Sequence, residues 1–388
     1  MQLSQLNSRI NATISEDIQT DLLTLRAELH NDPELSNQEY KTQEKLLAAL
    51  EKCNTRWVES VGTGIIARIK GQDAGLPPVA IRGDIDALPI QEATQLPYAS
   101  KNDGVMHACG HDVHASWAIG AARLLSETPA PSDVIIILQP AEEVATGAQM
   151  IMGSGKIPSN LRAIFGGHVD RRYTVGEVVL HNGAISSFSD KFRLTITGKA
   201  AHAARPKEGV NPIPIAVNIA QDIVGIGHQI GDDTNILTIT EIHAGKRHNM
   251  IPESATLSGT IRCLNPKIRQ SLHEALSKVA GKRDGGQIEL SIDAASPAII
   301  NSAELEGVAR QAIVDALGDR GCVPLNAPNM ASEDFGVYLQ TFPGWFFRFG
   351  AGYDGGDFIP VHVPEFYAED EALFVGAMVL ANCARLID

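Results

Sequence analysis

Short apolar runs in the first half of this 388-residue chain are repeatedly followed by acidic residues or histidine. Three runs show it: Pro78–Arg82 before Asp84 and Asp86, Asp133–Leu138 before Glu142 and Glu143, and Arg162–Phe165 before Gly166-Gly167-His168. Continuous apolar runs are typical of buried parallel strands, and open α/β sheets carry their sites beyond the carboxyl ends of the strands. The pattern predicts an α/β domain, with a mostly parallel sheet flanked by helices and a site at one edge.

A second pattern begins near Gly176 and predicts a separate domain. Its elements read as a strand at 190–197, a helix at 211–229, strands at 235–243 and 255–263, a helix at 266–283 and a strand at 287–293. This β-α-β-β-α-β order is that of the ferredoxin-like fold. We therefore expect an inserted α+β domain at 179–297, within a catalytic domain formed by 1–178 and 298–388.

The charge and composition of the chain argue against some functions and favour one kind of compartment. A formal net charge of −14 argues against non-specific binding to nucleic acid and against docking on an anionic membrane. The N-terminus lacks the pattern of a signal peptide, and no apolar run reaches transmembrane length. Five scattered cysteines without a C-x-x-C pair do not form a disulfide framework and favour a reducing compartment. We expect a cytoplasmic enzyme.

The segment Cys109-Gly110-His111-Asp112 combines a thiol, an imidazole and a carboxylate within four residues. A buried thiol beside a core histidine is about as common as a metal site. A second metal interpretation places His107, His111 and His114 on one helix face. Gly110 disfavours a helix through this stretch, so we prefer a loop that ends at the start of the next helix, where the helix N-terminus favours a thiolate.

Glu142-Glu143, His168 and His362 complete a set of candidate metal ligands. Each alone is more commonly a solvated acid or a satisfied core histidine. In an extended chain, neighbouring carboxylates point in opposite directions, so one could bind metal while the other faces substrate. Together the set exceeds what one structural zinc requires, which suggests two metals and hydrolysis. Zinc, manganese, nickel and cobalt all suit these ligands.

The chain resembles the amidohydrolase branch of the metal-dependent aminoacylase/carboxypeptidase superfamily, which includes hippurate hydrolases, N-acyl-amino-acid amidohydrolases and indole-acetyl-amino-acid hydrolases. Matching segments run in the expected order over nearly the whole chain: Arg82-Gly-Asp-Ile-Asp-Ala-Leu-Pro89, Met106-His-Ala-Cys-Gly-His-Asp112, Gln139-Pro-Ala-Glu-Glu143, Gly166-Gly-His168, Gly198-Lys-Ala-Ala-His202, Asn249-Met-Ile-Pro-Glu253, Ala331-Ser-Glu-Asp-Phe335 and His362-Val-Pro-Glu-Phe366.

The resemblance implies cleavage of N-acyl amino acids to a carboxylic acid and an amino acid, with two divalent metal ions per subunit. The implied ligands are Cys109, which bridges the metals, His111, Glu143, His168 and His362. Glu142 is the implied general base, with His202 near the oxyanion and Asn249 and Arg262 on the substrate. The inserted domain is expected to dimerise, giving a homodimer or a dimer-based oligomer.

The chain departs from the family pattern at two places. Asp84 stands where the wider superfamily has a histidine ligand, and Asp86 is expected to orient a ligand rather than to bind metal. The segment after His168, Val-Asp-Arg-Arg-Tyr173, replaces a proline-containing stretch. Two other functions stay open: a metal-dependent dipeptidase or exopeptidase, and a non-catalytic scaffold with a relic metal site.

Overall fold

A computed structural model describes residues 14–230, 234–281, 287–327 and 330–387. The α-helices in chain order are α1 Glu16–Asn31, α2 Tyr40–Leu50, α3 His111–Glu127, α4 Gly147–Gly153, α5 Pro212–Ile230, α6 Pro266–Gly281, α7 Glu306–Leu317, α8 Gly336–Leu339 and α9 Ala372–Leu386. The strands are β1 Thr55–Val61, β2 Gly64–Ile69, β3 Val79–Asp84, β4 Val134–Gln139, β5 Ala163–Thr174, β6 Val178–Val179, β7 Gly183–Ala184, β8 Phe188–Thr197, β9 Ala201–His202, β10 Asn235–Ala244, β11 Met250–Ile251, β12 Ser254–Cys263, β13 Gln287–Ser296, β14 Ile300–Asn301, β15 Cys322–Val323 and β16 Gly344–Gly352.

The chain divides into two compact units. The first contains the residues up to Gly183 with Ile300–Asn326 and Asp334 onward, and the second contains Ala184–Ile299 with Ala327–Glu333. None of the helices in the described ranges is long and apolar enough to cross a membrane.

The first unit is built on a mixed sheet. Within the described residues, eight strands pair in the order β1-β2-β4-β3-β5-β16-β6-β15. The four central strands, β4, β3, β5 and β16, run parallel to one another. Strand β2 pairs antiparallel with both β1 and β4, and β6 pairs antiparallel with β16. The predicted α/β class with a mostly parallel sheet is confirmed.

The register of these parallel strands places several polar side chains at the same level of the sheet. Asp84, the last residue of β3, pairs with Gln139 of β4. Ile81 pairs with Phe165, so Asp84 is level with His168, which pairs in turn with Arg348 on β16. In parallel strands, residues at one level share a face of the sheet. The site is assembled at and just beyond this level.

Helices α3 and α9 cover one face of the sheet and pack very closely. A Cβ added to Gly120 would lie 2.7 Å from the Ala377 Cβ, and one added to Gly376 would lie 2.4 Å from the Trp117 ring. Trp117 is fully buried and also contacts Phe349 of the sheet, with ring centroids 4.8 Å apart. This dense core fixes the N-terminus of α3, where two site residues lie.

The second unit follows the order β8-α5-β10-β12-α6-β13. Its described strands form a four-stranded antiparallel sheet in the order β10-β12-β8-β13. The two helices pack on the sheet through Ile219, Ile223, Leu272 and Leu276, all fully or nearly fully buried. This is the predicted ferredoxin-like arrangement, and it is confirmed.

Several elements differ from the sequence-based expectation. His168 does not follow a strand but lies within β5, which continues to Thr174. Strand β16 was not predicted, because its sequence Gly-Trp-Phe-Phe-Arg-Phe-Gly-Ala-Gly mixes apolar residues with three glycines and an arginine. The end of the helix predicted at 266–283 lies outside the described residues.

Candidate metal centre

Cys109 and His111 are presented by a sharp turn at the start of α3. Gly110 caps the helix with a left-handed φ of 86°, and His111 is the first helical residue. A Cβ at position 110 would lie 2.5 Å from the Val169 side chain, so the turn and the close approach both require glycine. His107 precedes the helix, so the interpretation with three histidines on one helix face is wrong.

Glu142 and Glu143 lie on a tight turn after β4, which we call the acidic turn (residues 141–147). Ala141 and Ala145 have left-handed φ angles of 54° and 56°. The Glu142 carbonyl accepts the Ala145 N–H at 2.7 Å. The backbone is therefore not extended, and the expected opposite orientation of the two carboxylates is wrong. Both lie near His111, whose Nε2 is 3.9 Å from Glu142 Oε2 and 3.7 Å from Glu143 Oε1.

Two further histidines approach the Cys109 thiol. The His168 Nε2 lies 3.1 Å from Sγ, and the His168 Nδ1–H donates to the Val169 carbonyl at 2.7 Å. The His362 Nε2 lies 3.3 Å from Sγ and 3.6 Å from Glu143 Oε1. His362 has a left-handed φ of 66°, held by its N–H, which donates to the Ala108 carbonyl at 2.8 Å.

The donor atoms form two overlapping groups that share the Cys109 thiol. Cys109, His111 and His168 form one group, and Cys109, Glu143 and His362 form the other; within each group all donor atoms lie within 4.8 Å of one another. Among the residues that the structure describes, His111 Nε2 and Glu143 Oε1 are buried without a hydrogen-bond partner. Buried polar atoms left unpaired in this way fit a pair of bound divalent cations.

Asp86 orients both sides of this cluster. Its Oδ1 accepts from His111 Nδ1 at 3.2 Å and from the Glu142 N–H at 3.1 Å, and its Oδ2 accepts from the Glu143 N–H at 3.0 Å. The bond to Nδ1 directs the Nε2 of His111 toward the cluster. Asp86 therefore acts on the ring and on the acidic turn without facing the cluster itself.

Asp84 and His114 lie beside the cluster but are occupied by other contacts. The His114 Nδ1–H donates to Asp84 at 2.6 Å, and its Nε2 accepts the Val169 N–H at 3.1 Å. The other Asp84 oxygen accepts from Arg82 at 2.6 Å. Because both ring nitrogens are used, His114 is not available as a ligand. Asp84 serves to hold α3, through His114, against the sheet.

Burial controls the protonation of the cluster. It raises the pKa of the Cys109 thiol well above its usual value, and it raises the pKa of Glu143 to about 7. Burial alone would lower the pKa of His111, but the charge of Asp84 and the hydrogen bond to Asp86 raise it well above the usual range. Burial lowers the pKa of His168 well below its usual value. The protein alone thus disfavours the thiolate expected at a helix N-terminus, because burial outweighs the opposing effect of His111 on the pKa of Cys109.

The three remaining predicted site residues belong to the second unit. His202 on β9 is exposed and pairs with Met250, and Ala203 donates its N–H to the Asn249 carbonyl at 3.0 Å, so His202 and Asn249 are neighbours. Arg262 lies near the opposite end of β12 from Asn249, and donates to the Met330 carbonyl at 3.5 Å. Within this unit the structure brings His202 and Asn249 together and leaves Arg262 apart.

Sequence reasoning missed several buried polar residues of the first unit. Glu39, fully buried, accepts the Ala141 N–H at the start of the acidic turn. Asp334, interpreted above only as part of a family segment, donates its N–H to Glu142 Oε1 at 3.4 Å, and Arg82 donates to its carboxylate at 3.0 Å. No local pattern marks such residues, because their burial depends on contacts between distant segments.

Comparison with known proteins agrees with this chemistry. The model of peptidase family M20/M25/M40 matches residues 80–386. An N-acetylcysteine deacetylase of Bacillus subtilis is 36% identical over 378 residues, covering 95% of this chain and 97% of the relative. The IAA-amino acid hydrolase ILR1-like 2 of Arabidopsis thaliana is 32% identical, covering 94% of this chain and 84% of the relative.

A solved structure supports the same assignment. The Bacillus subtilis YXEP protein, described as a dinuclear metal binding peptidase of the M20 family, matches with a TM-score of 0.83 and 34% identity, covering 96% of this chain and 99% of that one. The family model spans most of the chain, and relatives above 30% identity align over nearly all of it. This hydrolase therefore belongs to peptidase family M20/M25/M40.

Proposed function

We propose that this protein is a two-metal amidohydrolase that cleaves N-acyl amino acids to a carboxylic acid and an amino acid. The observation that carries the proposal is the sharing of Cys109 Sγ by two donor groups, with the Glu142 carboxylate beside them. The names of the deacetylase and of the IAA-amino acid hydrolase support this substrate class.

Cys109, His111 and His168 would hold one cation, and Cys109, Glu143 and His362 the other. When bound, a divalent pair polarises the amide carbonyl and lowers the pKa of water from about 15.7 toward roughly 7. Thiolate and imidazole suit zinc, whereas the carboxylate and the shared ligand also admit manganese, nickel or cobalt.

Glu142 would move the protons of the reaction. Its carboxylate is largely buried and is steadied by the Asp334 N–H at 3.4 Å. It takes a proton from the attacking water and returns it to the leaving nitrogen, so that the amine departs neutral. Asp86 keeps this carboxylate in place through the Glu142 N–H.

His202 is proposed to stabilise the oxyanion. Its Nδ1 accepts the Ala204 N–H at 3.1 Å, so the neutral ring carries its proton on Nε2 and can donate there. One such donor is typically worth about 3 kcal/mol of barrier. Asn249 and Arg262 are proposed to bind the substrate. Asn249 lies just before β11 and Arg262 lies near the end of β12, which supports the view that they serve different active sites of a dimer, His202 and Asn249 acting with the partner subunit.

We propose that the second unit dimerises through α5 and β10. Three apolar side chains on one face of α5 are exposed, Ile213, Val217 and Val224, and β10 is an edge strand with Ile242 exposed. An apolar helix face beside an unpaired edge strand fits a second copy of the same surface, because a twofold interface is self-complementary.

Replacing both Val217 and Val224 with Asp should convert the dimer to monomer, because four charges would be buried in the interface. Light scattering coupled to size exclusion measures the mass directly. Leu76→Asp, at an exposed apolar residue of the first unit, is the matched control and should leave the mass unchanged. A double variant with the mass of the wild type would remove this surface from the interface.

The substrate class is tested by a hydrolysis screen on protein loaded with each metal in turn. N-acetyl, N-benzoyl and indole-acetyl amino acids should be cleaved faster than dipeptides of the same amino acids. The reverse order would support a dipeptidase or exopeptidase, which the peptidase description of the YXEP structure favours as the second candidate. If none of the compounds is cleaved with any of the metals, the result would favour the alternative of a non-catalytic scaffold.

Metal binding should weaken steeply as the pH falls. The raised pKa values of Cys109, of His111 and of Glu143, about 7 for the last, mean that cations displace protons at neutral pH. With about two protons released, affinity should fall about 100-fold per pH unit near pH 7. Calorimetry in two buffers of different ionisation enthalpy counts the protons. Equal heats in both buffers would contradict the prediction.

We infer that the enzyme acts in the cytoplasm. All five cysteines are unpaired in the structure, which is the expected state in a reducing compartment.

A further inference from the structure

We propose that Glu39 is a positioning residue that holds the acidic turn in its working conformation. The proposal rests on the proposed function, because it assigns to Glu39 control over the general base Glu142 and the metal ligand Glu143. Glu39 itself contacts neither carboxylate; it acts through the backbone of Ala141.

The acidic turn is held by carboxylates at three successive backbone N–H groups. Glu39 Oε1 accepts from Ala141 at 2.9 Å, and the two oxygens of Asp86 accept from Glu142 at 3.1 Å and from Glu143 at 3.0 Å. Without Glu39, the fully buried Ala141 would leave its N–H unpaired. Asp86 alone cannot replace this contact, because both of its oxygens already accept two bonds each.

The backbone at Ala141 needs such a restraint. Its φ of 54° is a left-handed conformation that a residue with a Cβ adopts at a cost. The Ala141 carbonyl also closes the turn by accepting from Thr146 and from Gly147 at 3.2 Å and 3.1 Å. If Ala141 relaxed to an ordinary φ, the closure would break and the next residue, Glu142, would move with it.

Glu39 is itself held rigidly. It lies directly before α2 and is fully buried, and its Oε2 accepts the Thr63 hydroxyl at 2.5 Å. Thr63 lies in the tight connection between β1 and β2. The carboxylate thus links the start of α2, the β1–β2 connection and the acidic turn. A merely structural carboxylate would stabilise the fold without changing the geometry of Glu142.

Two variants of Glu39 with side chains of similar length distinguish a positioning role from a merely structural one. Glu39→Gln keeps a carbonyl oxygen for the Ala141 N–H, whereas Glu39→Met fills the same space without an acceptor. Glu34→Ala is the matched control, because Glu34 accepts the backbone N–H of Thr42 on the same helix at 2.8 Å and does not contact the acidic turn. If Glu39→Met fails to fold, Thr63→Val provides a second test, because it removes the hydroxyl that holds Glu39 and leaves the core filled. It should change amide exchange at 141–143, metal affinity and kcat in the same direction as Glu39→Met, by smaller amounts.

Two readouts need no substrate. Hydrogen exchange of the amides at 141–143 in metal-free protein should be at least about 10-fold faster in Glu39→Met than in Glu39→Gln. Metal affinity should also fall in Glu39→Met, because Glu143 lies on the same turn. With substrate, kcat should fall about 10-fold to 100-fold, with KM changed less than about threefold.

Rescue provides a sharper test. Ala141→Gly removes the cost of the left-handed φ, so it should recover part of the kcat and metal affinity lost in Glu39→Met and change little in the wild type. Two results would overturn the role of Glu39. One is hydrogen exchange at 141–143 in Glu39→Met at the wild-type rate, and the other is a loss of kcat and metal affinity in Glu34→Ala equal to that in Glu39→Met. If the wild type cleaves no N-acyl amino acid but the exchange and affinity differences appear, the proposed function fails and the anchoring of the turn stands.

Discussion

Glu142→Gln is expected to lower kcat by at least about 10³-fold while both metal ions remain bound. General acid–base catalysis contributes about 10²-fold to 10⁴-fold, and here one carboxylate would serve both proton transfers. The amide keeps the size of the side chain and can still accept from the Asp334 N–H. Turnover of an N-acyl amino acid and elemental analysis on the same preparation measure the two quantities.

The neighbouring residue provides the contrast. Glu143→Gln should lower the metal content, because the Glu143 Oε1 belongs to the donor group with Cys109 and His362 and has no hydrogen-bond partner. The two variants change adjacent residues of one turn in the same way, so a general disturbance would affect them alike. A Glu142→Gln enzyme that retains wild-type turnover would falsify the assignment of the base.

Cys109→Ser is expected to weaken metal binding by at least about 100-fold and to reduce the metal content below two ions per subunit. Both donor groups share the Cys109 Sγ, so its loss would affect both cations at once. A serine hydroxyl is a poor ligand for these ions compared with a thiolate. Elemental analysis after dialysis, followed by titration with zinc, measures the loss.

The control for this variant is Cys53→Ser. Cys53 is half-buried, and its thiol contacts the Ala49 carbonyl at 3.9 Å, away from the cluster. This variant should bind two metals with the affinity of the wild type. If Cys109→Ser also retained both ions at full affinity, Cys109 would not be a ligand and the two-group arrangement would be wrong.

The central elements of the fold were predictable because their sequences are locally unambiguous. The runs that form β3 and β4 are continuous and apolar, and the structure buries every residue of both strands. The order of elements in the second unit likewise identified the ferredoxin-like arrangement, since each strand and helix has its own periodicity. Strand β16 escaped prediction although it lies inside the sheet, because tertiary contacts bury a sequence that includes an arginine.

In the candidate site, too, some features could be predicted from the sequence and others could not. Ligand types could be recognised from Cys109, His111 and His168, because thiol and imidazole groups carry metal chemistry wherever they lie. The conformation of the acidic turn could not be recognised, because Ala141 and Ala145 are residues that seldom adopt the left-handed φ seen here. The anchoring by Glu39 is equally invisible, since a glutamate at the start of a helix is usually solvated.

The amino-acid sequence by itself determined which side chains are available for chemistry, which segments form the buried strands, and the family to which the chain belongs. Only the tertiary structure decided which of the acids and histidines converge, which are consumed by hydrogen bonds, as His114 and Asp84 are, and which retain unpaired buried atoms, as His111 and Glu143 do. The physical reason is that residue type is a local property, whereas burial and pairing arise from contacts between segments distant in sequence, as between Glu39 and Ala141, which are 102 positions apart.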